Sequence, residues 1–197
     1  MANMSIGERL AIVEHRRGDA LTLSTPVTLL VGLPKSGKSS IALALALNAH
    51  RGEYWWSGTD PATETTGRPV AWMTCNGADV QRIVKLATKA VWGPAISLAI
   101  PLEGALDLRH PIHSRQLIAA VRHLGAGLAV CDAVELGHID PSDPNTLLRF
   151  LADLNDVALE TDRPVLAALS TEDVAGTLDR ARRSAREIER IMGHAWN

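Results

Sequence analysis

Val27-Thr28-Leu29-Leu30-Val31-Gly32-Leu33-Pro34-Lys35-Ser36-Gly37-Lys38-Ser39-Ser40 is an apolar run, then a glycine-punctuated turn, then the opening of a helical pattern. Gly32 to Ser39 satisfies G-x-x-x-x-G-K-[ST] at every fixed position, which is the P-loop pattern. The chemistry explains the residue types. Gly32 and Gly37 let the backbone turn tightly and approach phosphate oxygens where a Cβ would obstruct. The successive N–H groups of Leu33, Pro34-Lys35, Ser36 and Gly37, with the positive end of the helix entered at Lys38, Ser39 and Ser40, form an anion cradle (Pro34 itself gives no N–H). Lys38 is the residue to reach β- and γ-phosphates, and the Ser39 hydroxyl suits a Mg²⁺ ion that keeps several waters. The expected ligand is a nucleoside triphosphate, ATP with Mg²⁺.

A chain of 197 residues suits one domain, taken here as 1–197 with a lead-in over 1–20 and an arginine-rich helix over 173–197. Hydrophobic residues make up 46% and aromatics only 4%, so Ala, Leu, Val and Ile must fill the core. A net charge of -2 gives no general attraction to nucleic acid. Of four lysines two, Lys35 and Lys38, stand in the P-loop. Cys75 and Cys131 lie in apolar runs without a pairing motif, as expected of buried thiols in a reducing cytoplasm. Charges interrupt the N-terminal segment, and no run reaches the roughly 18 apolar residues of a membrane helix.

Along the chain, Ser5 to Arg17 is a short amphipathic segment, expected as a helix or edge element ended by Gly18-Asp19. Val27 to Val31 is a buried strand and Ser39 to His50 the helix after the P-loop. Arg51 to Arg68 is rich in turn formers and holds Tyr54, Trp55 and Trp56, either a platform for a base or partner or a cap on the end of that helix. Pro69 to Cys75 is a second strand ending at Asn76-Gly77, and Asp79 is placed to cap a helix carrying Val80, Ile83, Val84, Ala87 and Val91. Ala95 to Ile100 is a third strand. Ile112 to Leu124 is a helix closed by Gly125.

Gly127 to Asp132 is the second place where chemistry is expected. Apolar residues followed by an acid form a Walker B pattern, whose strand delivers Asp132 to a Mg²⁺ beside the P-loop. Asp143-Pro144 reads as N-cap and first residue of a further helix, and Pro164 to Leu169 as a fifth strand ending in Ser170-Thr171. A last helix, Thr177 to Met192, carries Arg180, Arg182, Arg183, Arg186 and Arg190. Strands alternating with helices predict an α/β fold, a parallel sheet of five or more strands flanked by helices, with ligands at the strands' C-terminal edge.

This order of motifs resembles the RecA-like P-loop ATPases, and among them the compact branch of plasmid hexameric replicative helicases. The pieces that carry the resemblance are Val27 to Ser39, the Gly52 to Trp56 region, Gly67 to Met73, Leu128 to Asp132 and Val165 to Leu169, within residues 20 to 172. It implies ATP hydrolysis, work as a ring or filament, and single-stranded DNA as a partner. It also implies a glutamate at the end of the second strand to polarise water, where this chain has Asn76, which can orient water but cannot take its proton. Glu135 is a substitute candidate, and so Lys38, Asn76 and Glu135 are the catalytic candidates. The γ-phosphate sensor, usually His or Gln, falls on Ser170 and Thr171. These departures leave a non-hydrolysing switch or scaffold as an alternative, and a small P-loop kinase as a third. The C-terminal arginines are either a finger for a neighbouring subunit, from Arg180, Arg182, Arg183 or Arg186, or a solvated face with pairs such as Asp179–Arg183. His110-x-x-His113 has ligand spacing without a third ligand, as surface histidines do.

Overall fold

The computed structural model describes residues 11–15, 18–22, 27–51, 67–74, 81, 85, 96–98, 111–134 and 143–195. The elements are β1 (Ala11–His15), β2 (Gly18–Thr22), β3 (Val27–Gly32), α1 (Lys38–Arg51), β4 (Val70–Thr74), β5 (Ile96–Leu98), α2 (Pro111–Leu124), β6 (Leu128–Val134), α3 (Pro144–Thr161), β7 (Val165–Ser170) and α4 (Val174–Ala195). Gln81 and Lys85 are helical, in agreement with a helix after the second strand. The strands form one sheet in the order β1-β2-β3-β7-β6-β4-β5.

From β3 across to β5 every ladder is parallel, as the alternation of strands and helices predicts. β1 and β2 add to the other side of β3 as an antiparallel hairpin. The described part of the lead-in, Ala11–His15, is thus an edge strand, not a helix. Gly18-Asp19, expected as a break, opens β2 instead, because pairing with β3 outweighs the weak strand preference of Gly and Asp.

Strand alternation sorts the core into two layers. Leu30, Val70, Trp72, Leu128, Val130, Leu166 and Ala168 pack with Ala42, Leu43, Ala46 and Ala49 of α1. The residues between them, among them Leu29, Val31, Met73, Cys131 and Leu169, pack with buried residues of α2, α3 and α4. Both faces are covered, which is why these strands read as continuous apolar runs. The helix ends follow their residues. Asp143 caps α3 by accepting from the Asn145 N–H at 3.0 Å and the Thr146 hydroxyl, with Pro144 at the first helical position. Gly125, at φ 59°, closes α2 in a Schellman motif: its N–H donates to Arg122 O and that of Ala126 to Val121 O. No helix among the described residues is long and apolar enough to cross a membrane.

Candidate functional site

The site is built at the C-terminal edge of the parallel strands, where β3 gives way to the loop 33–37 and α1 begins at Lys38. The loop is held from within. Ser36 N–H donates to Leu33 O at 3.1 Å, and Ile41 N–H to Gly37 O at 3.0 Å. Lys35 and Gly37 both have positive φ, 62° and 92°. Gly32 is needed for space: a Cβ there would lie 2.8 Å from the Ser36 Oγ, which is buried. Leu33, Pro34, Lys35 and Ser40 are exposed around the turn.

Lys38 is buried, and its ammonium donates to Leu33 O at 2.7 Å and Gly32 O at 3.2 Å. An ammonium has three donors, so two pin the side chain across the loop and one remains to point at an anion. Burial lowers the Lys38 pKa, and the nearby Asp132 carboxylate partly opposes that shift. A buried cation beside N–H groups and a helix N-terminus is chemistry suited to phosphate.

Asp132 arrives from β6. Alternation puts it on the same side as Leu128 and Val130, the side covered by α1, and there its Oδ1 accepts from the Ser39 hydroxyl at 2.9 Å. β6 is not adjacent to β3; β7 lies between them. The β6–β7 register slips between Cys131 and Val134, with three residue steps on β6 against two from Ala167 to Leu169 on β7. Asp132 therefore sits in a β-bulge, a device that re-aims side chains at the ends of strands. The bulge left no signal in the sequence, since Leu-Ala-Val-Cys-Asp-Ala-Val alternates without a glycine or other irregularity. Ser39 and Asp132 are the pair suited to a Mg²⁺ ion, as hydroxyl and carboxylate oxygens are hard ligands.

Ser170 and Thr171 separate. Ser170 pairs in register with Gly32, and Leu166 and Ala168 of its own strand face α1, so alternation puts it on that side too. Thr171 N–H donates to Gly32 O at 3.0 Å, tying the start of the P-loop to the end of β7. Its hydroxyl turns away into the start of α4, 3.3 Å from Thr177 Oγ1 and accepting from Asp173 N–H at 3.2 Å. Sequence reasoning missed this knot. Asp173 caps α4 through Gly176 N–H at 3.0 Å and also accepts from Arg180 at 2.9 Å. Arg180 is thereby held within its own chain. Arg182 pairs with Asp179 at 2.7 Å, so the expected Asp179–Arg183 pair is replaced by its i,i+3 counterpart.

Asn76, Glu135, Cys75, His110 and the Tyr54-Trp55-Trp56 cluster lie outside the described residues. The 51–68 segment is nonetheless tied at its ends: Gly67 N–H donates to His50 O at 2.8 Å, and His50 Nδ1 lies 2.8 Å from Arg68 O. Among the described residues no three His, Cys, Asp or Glu side chains gather as a metal-holding group.

In a comparison with known families, residues 22–168 match the family described as AAA domain. The matched span runs from the end of β2 through β7 and contains both the P-loop and Asp132. No match is found among curated proteins.

Proposed function

The chain belongs to the AAA-domain family, a RecA-like P-loop NTPase family, and on that premise we propose that it binds ATP with Mg²⁺ and hydrolyses it slowly, acting as an oligomer in DNA replication or recombination. The observation that carries the reading is the Ser39–Asp132 hydrogen bond of 2.9 Å beside the pinned Lys38. It joins the two sequence motifs into one place for a metal-bound triphosphate.

In this reading Gly32 to Ser40 cradle the phosphates, chiefly through backbone N–H groups, and Lys38 lies against the β- and γ-oxygens. Ser39 and Asp132 would hold the Mg²⁺ ion through their hydroxyl and carboxylate oxygens. The metal, when bound, neutralises charge on the phosphates. Lys38 and the helix end hold the charge that develops on the transferring group, and Ser170 contacts the γ-phosphate. Asn76 orients the attacking water and Glu135 accepts its proton. A cradle that binds well, with an amide at Asn76 that orients water but cannot take its proton, accounts for slow turnover. Asn76, where the resemblance implies a glutamate, supports the second reading, a nucleotide-dependent switch or scaffold with little hydrolysis.

One experiment separates them: ATP binding and turnover by the wild type and Lys38→Ala, with and without single-stranded DNA. The proposal expects binding that needs Lys38, and turnover above the mutant's that DNA increases. Tight binding with turnover equal to the mutant's replaces the ATPase by the switch. Equal binding by both proteins overturns the site itself.

A further inference from the structure

The outward side of α4 carries a row of charge that the nucleotide site does not use. Leu178, Ala181 and Ala185 are buried against the sheet and α3. Arg183, Arg186 and Arg190, at i, i+3 and i+7, are exposed on the opposite side of the helix. Arg190 is 62% exposed and pairs with Glu187 at 2.6 Å. Arg183 and Arg186 have no ion-pair partner among the described residues.

α3 carries a row of the opposite sign with the same spacing: Asp153, Asp156 and Glu160. The offsets also agree. Arg183, Arg186 and Arg190 stand nine, twelve and sixteen residues past the first residue of α4, and the three acids stand nine, twelve and sixteen past the first residue of α3. The two helices follow neighbouring parallel strands and pack side by side, so they run in the same direction. Within one chain the rows do not meet, because Glu160 pairs with Arg122 of α2 at 3.6 Å, on the other flank of α3. Asp156 is exposed, with its carboxyl pushed up by partial burial and then by the Glu160 charge, and no cation is among the causes of that shift.

We propose that the outward face of α4 is a docking surface for a second copy of this chain, with Arg183, Arg186 and Arg190 meeting Asp153, Asp156 and Glu160 of that copy. The contact is head-to-tail, since one row is given and the other received, and such contacts build rings or filaments. Two parallel helices would bring the rows into register over about 10 Å. Exposed ion pairs add little affinity each, so the rows set orientation and encounter rate. Leu159, 55% exposed beside Asp156 and Glu160, gives apolar surface that arginine stems can cover. The acidic row and the net charge of -2 favour this occupant over a nucleic acid, which the α3 row would repel.

This inference extends the oligomeric part of the reading above and is independent of hydrolysis. Its test uses the full chain in sedimentation velocity at tens of micromolar, at low and high salt, with ATP binding measured on the same samples. Association at low salt that high salt reverses is expected for the wild type. Arg183→Glu/Arg186→Glu and Asp156→Arg/Glu160→Arg should each sediment as monomers, and their equimolar mixture should associate again, since each reversed row then faces a complementary one. Circular dichroism establishes that both variants are folded. A monomeric wild type with and without ATP, a reversed variant of unchanged mass, or a folded mixture that stays monomeric overturns the proposal. If Arg183→Glu/Arg186→Glu loses single-stranded DNA binding while its mass is unchanged, the row is a nucleic-acid surface instead. Loss of ATP binding in the wild type would sink the nucleotide reading and leave this one standing.

Discussion

Ser39 donates its hydroxyl to Asp132 across 2.9 Å, although 93 residues separate them along the chain. The hydrogen bond ties the first turn of α1 to a bulge at the end of β6, over the intervening strand β7. Asp132→Asn keeps an acceptor for Ser39 and removes the charge. If the pair serves Mg²⁺, the Mg²⁺ concentration that half-saturates ATP binding rises about 10–100-fold, the usual cost of losing an outer ligand. Ser39→Ala should act in the same direction, and the double variant should fall short of the product because both changes act on one ion. An unchanged Mg²⁺ midpoint assigns the pair a structural role only.

Lys35 occupies the left-handed region at φ 62° with its side chain exposed. A non-glycine residue there costs roughly 1–2 kcal/mol, and glycine returns about 0.5–1 kcal/mol of that as lost chain entropy. Lys35→Gly should therefore raise stability by about 0.5–1 kcal/mol, or ~1–4 °C in Tm for a domain of this size. Lys35→Ala keeps the strain and should melt with the wild type. Gly37→Ala, at φ 92°, should melt lower. Differential scanning calorimetry of the three variants reads all of this, and a Lys35→Gly protein that melts below the wild type contradicts it.

The fold was legible where burial and pattern speak together. Val27 to Val31, Val70 to Met73 and Val165 to Leu169 are apolar because both faces are covered, and Asp143-Pro144 and Gly125 are residue types that the cap geometry itself selects. The P-loop was legible because phosphate chemistry constrains its residues one by one. What escaped notice rests on partners distant in sequence. The β1–β2 hairpin exists because β3 offers an open edge. The Thr171–Asp173–Thr177–Arg180 knot uses residues that read as an ordinary strand end and helix start. Arg182, not Arg183, reaches Asp179 because i,i+3 and i,i+4 neighbours are equally near on a helix and local rotamers choose.

Trp72 lies wholly within the layer between the sheet and α1, and its indole Nε1 finds no hydrogen-bond partner among the described residues. Trp72→Ala should cost about 3–5 kcal/mol through the cavity it leaves. Trp72→Phe loses less volume and also removes a buried N–H whose desolvation costs about 1–3 kcal/mol. Denaturant unfolding should therefore place Trp72→Phe within about 1.5 kcal/mol of the wild type. A loss approaching that of the alanine variant would show that the indole contributes packing a phenyl ring cannot replace.

Asp143 gives the clearest pH signature. Its carboxylate accepts from Thr146 Oγ1 and from Asn145 N–H at 3.0 Å, and these two hydrogen bonds, in that order, hold its pKa below 3.8. The sign follows from linkage. A carboxyl with a folded-state pKa depressed below its unfolded value contributes stability above the unfolded pKa, and loses it as pH falls through the folded one. Asp143→Ala should lower Tm at pH 7, where the cap is charged, and the gap to the wild type should narrow below about pH 4 as the wild-type carboxyl takes up its proton. Asp143→Asn retains an acceptor for the cap without the charge, so it should lie between the two at pH 7 and show less of the acid-dependent change. Melting curves of the three proteins at pH 7, 5 and 3 check the expectation. A gap between alanine variant and wild type that stays constant to pH 3 would mean the charge on Asp143 adds nothing to the start of α3.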